Sequence, residues 1–275
     1  SNHCDIIEHS TFTTKPRTHH LTLNKSSKLD QDDTEYTLVQ DITDDGTALT
    51  ISASKISLNL NGHTVFFGAA SNEESHGIVI EGYNRRDIQI CCGTIEQANP
   101  LSKIPANSPI HFPHGIYNYE ISNLTVLWNS PQTSGINAPW GEGYIHDNIL
   151  IDQGSLITNR HQEISTIQVN RAPNTIVANN AIVRARQTGI FCYSSNTVCE
   201  NNTISIDSQT TTSYGILYYG HNPTINHWNC QNNIIKGSGI HPIGIGVVSQ
   251  ATGGRVSGNH VEVQCTLPSE EYGKS

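Results

Sequence analysis

IHDNIL (Ile145 to Leu150), VANNAI (Val177 to Ile182), CENNTI (Cys199 to Ile204), CQNNII (Cys230 to Ile235) and VSGNHV (Val256 to Val261) are five copies of one pattern. Each has Asn in the fourth place, an apolar residue three places before it and another two places after. A side chain that returns at a constant offset from a turn residue is what the interior of a solenoid requires, because every coil must deliver the same position to the core. The corner itself has a chemical signature. A one-residue bend between strands demands the left-handed conformation, which Asn and Gly enter at least cost. Asn123, Asn148, Asn180, Asn202, Asn233 and Asn259 are therefore read as corner residues, with Gly62 and Gly93 in the same slot of earlier coils. Stacked Asn side chains also hydrogen-bond up and down such a column.

A second landmark is a Gly-Ile step at positions 77, 115, 135, 189, 215 and 244, with Ala48-Leu49 and Thr166-Ile167 in the same role. The spacing is irregular, as loops of different length on a constant core would make it. The fold expected is all-β: a single-stranded parallel β-helix of about eight or more coils, read as one domain. Residues 1–35 carry no clear repeat and are read as an N-terminal cap, 36–263 as coils and 264–275 as a polar tail. A β-sandwich with Asn-rich turns is the competing reading.

Charged residues make up only 14% of the 275-residue chain, against about 25% in ordinary globular domains. Asn, Ser, Thr and Gly stand in their place and favour strands and tight turns. The net charge of −9 argues against nucleic acid, which selects a basic face. No run of about 18 apolar residues is present, so no transmembrane helix is expected. Seven cysteines occur without a C-x-x-C pair, which argues against a structural zinc site of that kind. Cys199 and Cys230 share one offset from successive Asn residues and are read as stacked neighbours, more simply buried thiols than a bridge.

The Asn corners, the Gly-Ile starts and the segment TISASKISLNLNGHTV (Thr50 to Val65) resemble the pectate-lyase-like right-handed β-helix superfamily over residues 36–263. The resemblance implies a right-handed coil, a polysaccharide or other glycan as partner, and a secreted, periplasmic or cell-surface setting. It transfers no catalytic residue, because the polygalacturonase, pectate lyase and alginate epimerase signatures are absent from this chain.

Candidate site residues follow from strand alternation. With Ile116, Ile190 and Ile216 inward, Tyr117, Tyr119, Phe191, Tyr193 and Tyr219 face outward, with Gln168 and Asn170 on an intervening coil and His221 at the end of the stripe. Aromatic rings stack on the apolar faces of sugars, and amides bond their hydroxyls. Beside the stripe, Arg160, His161 and Arg186 form a basic edge suited to gripping a uronate carboxylate and to proton transfer. Glu142 and Asp147 could act as a glycosidase pair if about 5–10 Å apart, or could hold Ca2+; no other cofactor is indicated. The chemistry expected is β-elimination or hydrolysis of an acidic polysaccharide. The alternative is a non-catalytic glycan-binding or cell-surface structural module.

Overall fold

The computed structural model describes residues 16–69, 74–99, 108–129, 133–138, 140–154 and 164–266, with the main chain alone at 209–211, 221–224 and 249–250. The twenty-four strands of the described residues belong to one sheet, and neighbouring coils pair in parallel. The chain winds through three faces in turn. The first face runs from His19–Leu23 through Thr34–Leu38 and Ile56–Asn59 to Arg255–Ser257. The second runs from Ile42–Thr43 through Thr64–Phe67 to His260–Cys265. The third runs from Ser27–Leu29 through Leu49–Ile51 and Ile78–Ile80 to residues 243–248. The chain is thus an all-β parallel β-solenoid. Among the described residues no helix is long and apolar enough to cross a membrane.

The two apolar columns are present. Ile145, Val177, Cys199 and Cys230 are register partners on successive coils, and each is fully buried. Leu150, Ile182, Ile204 and Ile235 form the matching column of the second face. Burying one such side chain contributes about 1.5–3 kcal/mol, and every coil repeats the contribution. The last members, Val256 and Val261, are 51% and 43% exposed, because no further described coil covers them. Cys199 and Cys230 stack as read and remain thiols, as does Cys192, whose sulfur lies 3.5 Å from that of Cys199.

The corner assignment shifts by one residue. The left-handed positions are Asp147 (φ 54°), Asn179 (55°), Asn201 (55°), Asn232 (55°) and Gly258 (65°). The Asn that follows each of them turns its amide into the stack instead. Asn148 donates to Asn180 at 3.0 Å, Asn180 to Asn202 at 3.0 Å, Asn202 to Asn233 at 3.0 Å and Asn233 to Asn259 at 2.9 Å. Each of these acceptor oxygens also takes the main-chain N–H of the preceding Asn. Asn123 does not belong to this column. It is itself left-handed (φ 54°), and Leu124 occupies the buried slot, donating its N–H to Asn148. Gly93 does hold the slot, as the register partner of Leu124, whereas Gly62 is itself left-handed (φ 80°).

Two further expectations change. The register column of the third face is Leu49, Ile78, Ile110, Ile136, Ile167, Ile190, Ile216 and Ile245. Gly115-Ile116 is not in it; Ile116 pairs with Arg85 and Gly141 at the entry to the first face. The reason for Gly before Ile is space. A Cβ at Gly189 would lie 2.6 Å from the Gly215 carbonyl oxygen and 2.7 Å from Ile204, so the corner admits only a bare main chain. The cap is also shorter than 1–35, since His19–Leu23 already pairs with Thr34–Leu38 and Ser27–Leu29 with Leu49–Ile51. At the other end the last strand runs on to Cys265. Residues 1–15 lie outside the described residues.

Candidate functional site

The outward rows of the third face set up the first candidate. One row runs Val79, His111, Asn137, Gln168, Phe191 and Leu217. A parallel row places Asn170 beside Tyr193. Tyr193 and Tyr219 follow on successive coils with ring centroids 6.1 Å apart, and Phe191 lies 6.4 Å from Tyr219. The structure thus brings together Gln168, Asn170, Phe191, Tyr193 and Tyr219. Phe191 is only 8% exposed, so Tyr193 and Tyr219 present the accessible rings. Gln168 accepts from the Ser134 hydroxyl at 3.1 Å. The side chain of His221 lies outside the described residues.

Tyr117 and Tyr119 are corrections. Both sit at the entry to the first face, away from the stripe. Asn118 between them is left-handed (φ 57°) and breaks the alternation. Tyr117 is 47% exposed, opposite Glu142, whereas Tyr119 turns inward and is fully buried. Its hydroxyl lies 3.5 Å from that of Thr175, and burial raises its pKa.

A groove of about 180 Å³ adjoins the aromatic row, lined by Arg171, Pro173, Tyr193, Ser194, Ser195 and Ile225. The Arg171 guanidinium sits 4.9 Å from the centre of the Trp140 ring, a cation–π contact that holds the charge beside an aromatic wall. Nearby, Glu142 accepts from the Asn174 amide at 3.1 Å.

Arg186 does not lie on an exposed basic edge as read. Arg186 is fully buried, and its Nε donates to Asp152 at 2.6 Å. The chain turns from the second face toward the third here, and Gly154 leaves the room the guanidinium fills. Arg160 and His161 lie outside the described residues.

One cluster escaped the sequence reading, and a second joins Asp147 to partners other than the one read. On the third face, Glu74, His76 and His111 place their donor atoms within 4.8 Å of one another. The imidazoles of His76 and His111 stack with centroids 4.6 Å apart. They line a groove of about 560 Å³ with Thr50, Glu81 and His114. Burial, aided by the neighbouring His76 and His114, pulls the His111 pKa down to about 4. The signal was available: Pro109-Ile110 holds the third-face slot, so His111 falls in the outward row.

On the first face, His146 lies between two carboxylates. Its Nε2 is 2.9 Å from Glu120 and its Nδ1 is 2.6 Å from Asp147. Gln89 donates to the other Glu120 oxygen at 3.0 Å, and the Tyr144 ring stacks on the imidazole with centroids 3.8 Å apart. Asp147 therefore shares a centre with Glu120 through His146, while Glu142 engages Asn174. Burial disfavours the His146 imidazolium, but the hydrogen bonds and charges of Glu120 and Asp147 outweigh it, and the pKa is raised above 6.5. A raised folded-state pKa contributes stability that is complete below the unfolded value and is lost as pH rises through the folded one. Urea midpoints measured across this window are expected to fall with rising pH in the parent chain and to fall less in His146→Gln. Equal slopes in the two chains would sink this assignment.

No family profile and no curated protein matches this chain. Among solved structures it is similar to the Dettilon tailspike protein, with a TM-score of 0.46 and 12% identity over 89% of this chain. The chain spans 61% of the length of that tailspike chain. It is also similar to the A-module of a mannuronan C-5 epimerase from Azotobacter vinelandii, with a TM-score of 0.34, 10% identity, and 92% of this chain and 88% of that one covered.

Proposed function

We propose that the chain binds an extended acidic polysaccharide along its third face. The observation that carries this reading is the row Asn170, Tyr193 and Tyr219 beside the Arg171 groove. The coils repeat at about 4.8 Å, so successive coils can offer the same kind of contact to successive parts of an extended glycan. Accessible Tyr rings supply platforms for pyranose faces, amides supply hydrogen bonds to hydroxyls, and Arg171 supplies a bidentate partner for a uronate carboxylate. A secreted or cell-surface setting goes with this reading.

Titration calorimetry with polygalacturonate, alginate and a neutral glucan tests it. Binding of one polyuronate is expected, weakened roughly tenfold, or about 1.4 kcal/mol, by either Tyr193→Ala or Arg171→Ala. Affinity retained in both variants would remove the third face from consideration.

A second reading, β-elimination or hydrolysis of a bound glycan, is favoured by the Glu120–His146–Asp147 cluster, since an imidazole between two carboxylates suits proton transfer. Turnover read as unsaturated-uronide absorbance or new reducing ends should then be lost in His146→Ala. Binding without turnover by the parent chain leaves the module reading.

A further inference from the structure

We propose that Glu74, His76 and His111 form a binding site for a single divalent transition-metal ion, Zn2+ by the chemistry of the donors. Two imidazoles and a carboxylate form a donor set that zinc accepts, and three protein ligands leave a position for water. The three donor atoms already lie within 4.8 Å of one another, so small side-chain movements close them around an ion. The site faces the 560 Å³ groove of the third face and does not depend on the glycan reading.

The hydrogen bonds around the cluster point the same way. His76 Nδ1 lies 3.1 Å from the Ser108 carbonyl oxygen, and a carbonyl only accepts, so Nδ1 carries the proton. In the neutral ring the lone pair is then on Nε2. That nitrogen faces a Glu74 carboxylate oxygen at 3.3 Å. Two acceptors so placed repel unless a proton or a cation lies between them. A carbonyl on the far nitrogen of a ligating His is also the usual device for orienting it.

His111 is prepared in a similar way. Its Nδ1 lies 3.2 Å from the Asn137 side-chain amide. The Asn137 oxygen is buried and makes no hydrogen bond among the described residues. Turned end for end, that amide gives His111 Nδ1–H an acceptor and leaves Nε2 for the ion. Asn137 is then a positioning residue rather than a ligand.

Calorimetry with Zn2+ on the whole chain tests the proposal, with Co2+ absorption as the spectroscopic readout of coordination. One ion per chain is expected, with a Co2+ spectrum of nitrogen and oxygen ligands. Glu74 is exposed, so Glu74→Ala should fold normally and weaken binding by about tenfold or more, and Asn137→Leu by about ten- to a hundredfold. His111→Ala should abolish stoichiometric binding and the Co2+ spectrum, with circular dichroism confirming the coil. No stoichiometric binding by the parent chain would overturn the proposal. So would an affinity and spectrum unchanged in both Glu74→Ala and His111→Ala, which would place the ion on other histidines or cysteines.

Discussion

Asp152→Ala is expected to lower the unfolding free energy by about 3–5 kcal/mol, because it removes the carboxylate that a buried guanidinium donates to. The Asp152 and Arg186 side chains are 2% and 0% exposed, and the Arg186 Nε donates to Asp152 at 2.6 Å. The other Asp152 oxygen accepts the Gly154 N–H at 3.0 Å. Arg184 fixes the same turn from outside, reaching the Asp152 and Gly154 carbonyls at 3.3 and 3.1 Å while its Nε donates to Asp207 at 2.9 Å. The double variant Asp152→Leu with Arg186→Met removes both charges and should recover much of the loss, since an apolar pair of similar volume carries no desolvation cost. Urea unfolding followed by circular dichroism reads both. A single variant within about 1 kcal/mol of the parent would contradict a desolvated pair, whose breakage costs several times that.

Asn202→Ala is expected to cost about 2–4 kcal/mol, the sum of a few hydrogen bonds broken in a buried setting. Asn202 is fully buried. Its amide donates to Asn233 at 3.0 Å and to the Val177 carbonyl at 2.9 Å, while its oxygen accepts the Asn180 main-chain N–H and side-chain amide, both at 3.0 Å. Truncation strips bonds from two neighbouring coils at once. Asn202→Asp should cost at least as much, because it sets an acceptor against the acceptors of Asn233 and Val177. Asn201, one residue earlier, carries the left-handed bend (φ 55°). Asn201→Gly should therefore cost about 1 kcal/mol or less, since Gly enters that region freely. The ratio of these effects separates the bend from the stacked amide. Equal losses at 201 and 202 would mean that the two roles are not divided in this way.

The solenoid was legible because its cause is local and repeated. Each coil needs an inward apolar residue at a constant offset, and the hexapeptides ending at Leu150, Ile182, Ile204 and Ile235 display it. Which of two adjacent residues makes the bend was not legible, because Asn179 and Asn180 have the same side chain and differ only in what the neighbouring coil places beside them. Register was readable where the repeat is tight and misread where a left-handed residue lies within a strand. One such residue, Asn118, buries Tyr119, whereas Tyr117 is out of the aromatic row because Ile116 pairs on the first face.

By itself the sequence determined the coiled repeat, the two interior columns and the outward placement of Gln168, Asn170, Tyr193 and Tyr219, since a constant offset in each coil and alternation along one strand decide these. Only the tertiary structure decided that Arg186 is sealed against Asp152, that His146 lies between Glu120 and Asp147, and that His76 stacks on His111. These contacts join residues on different coils or across a corner. The loops between coils differ in length, so no regular spacing in the chain records which side chains meet.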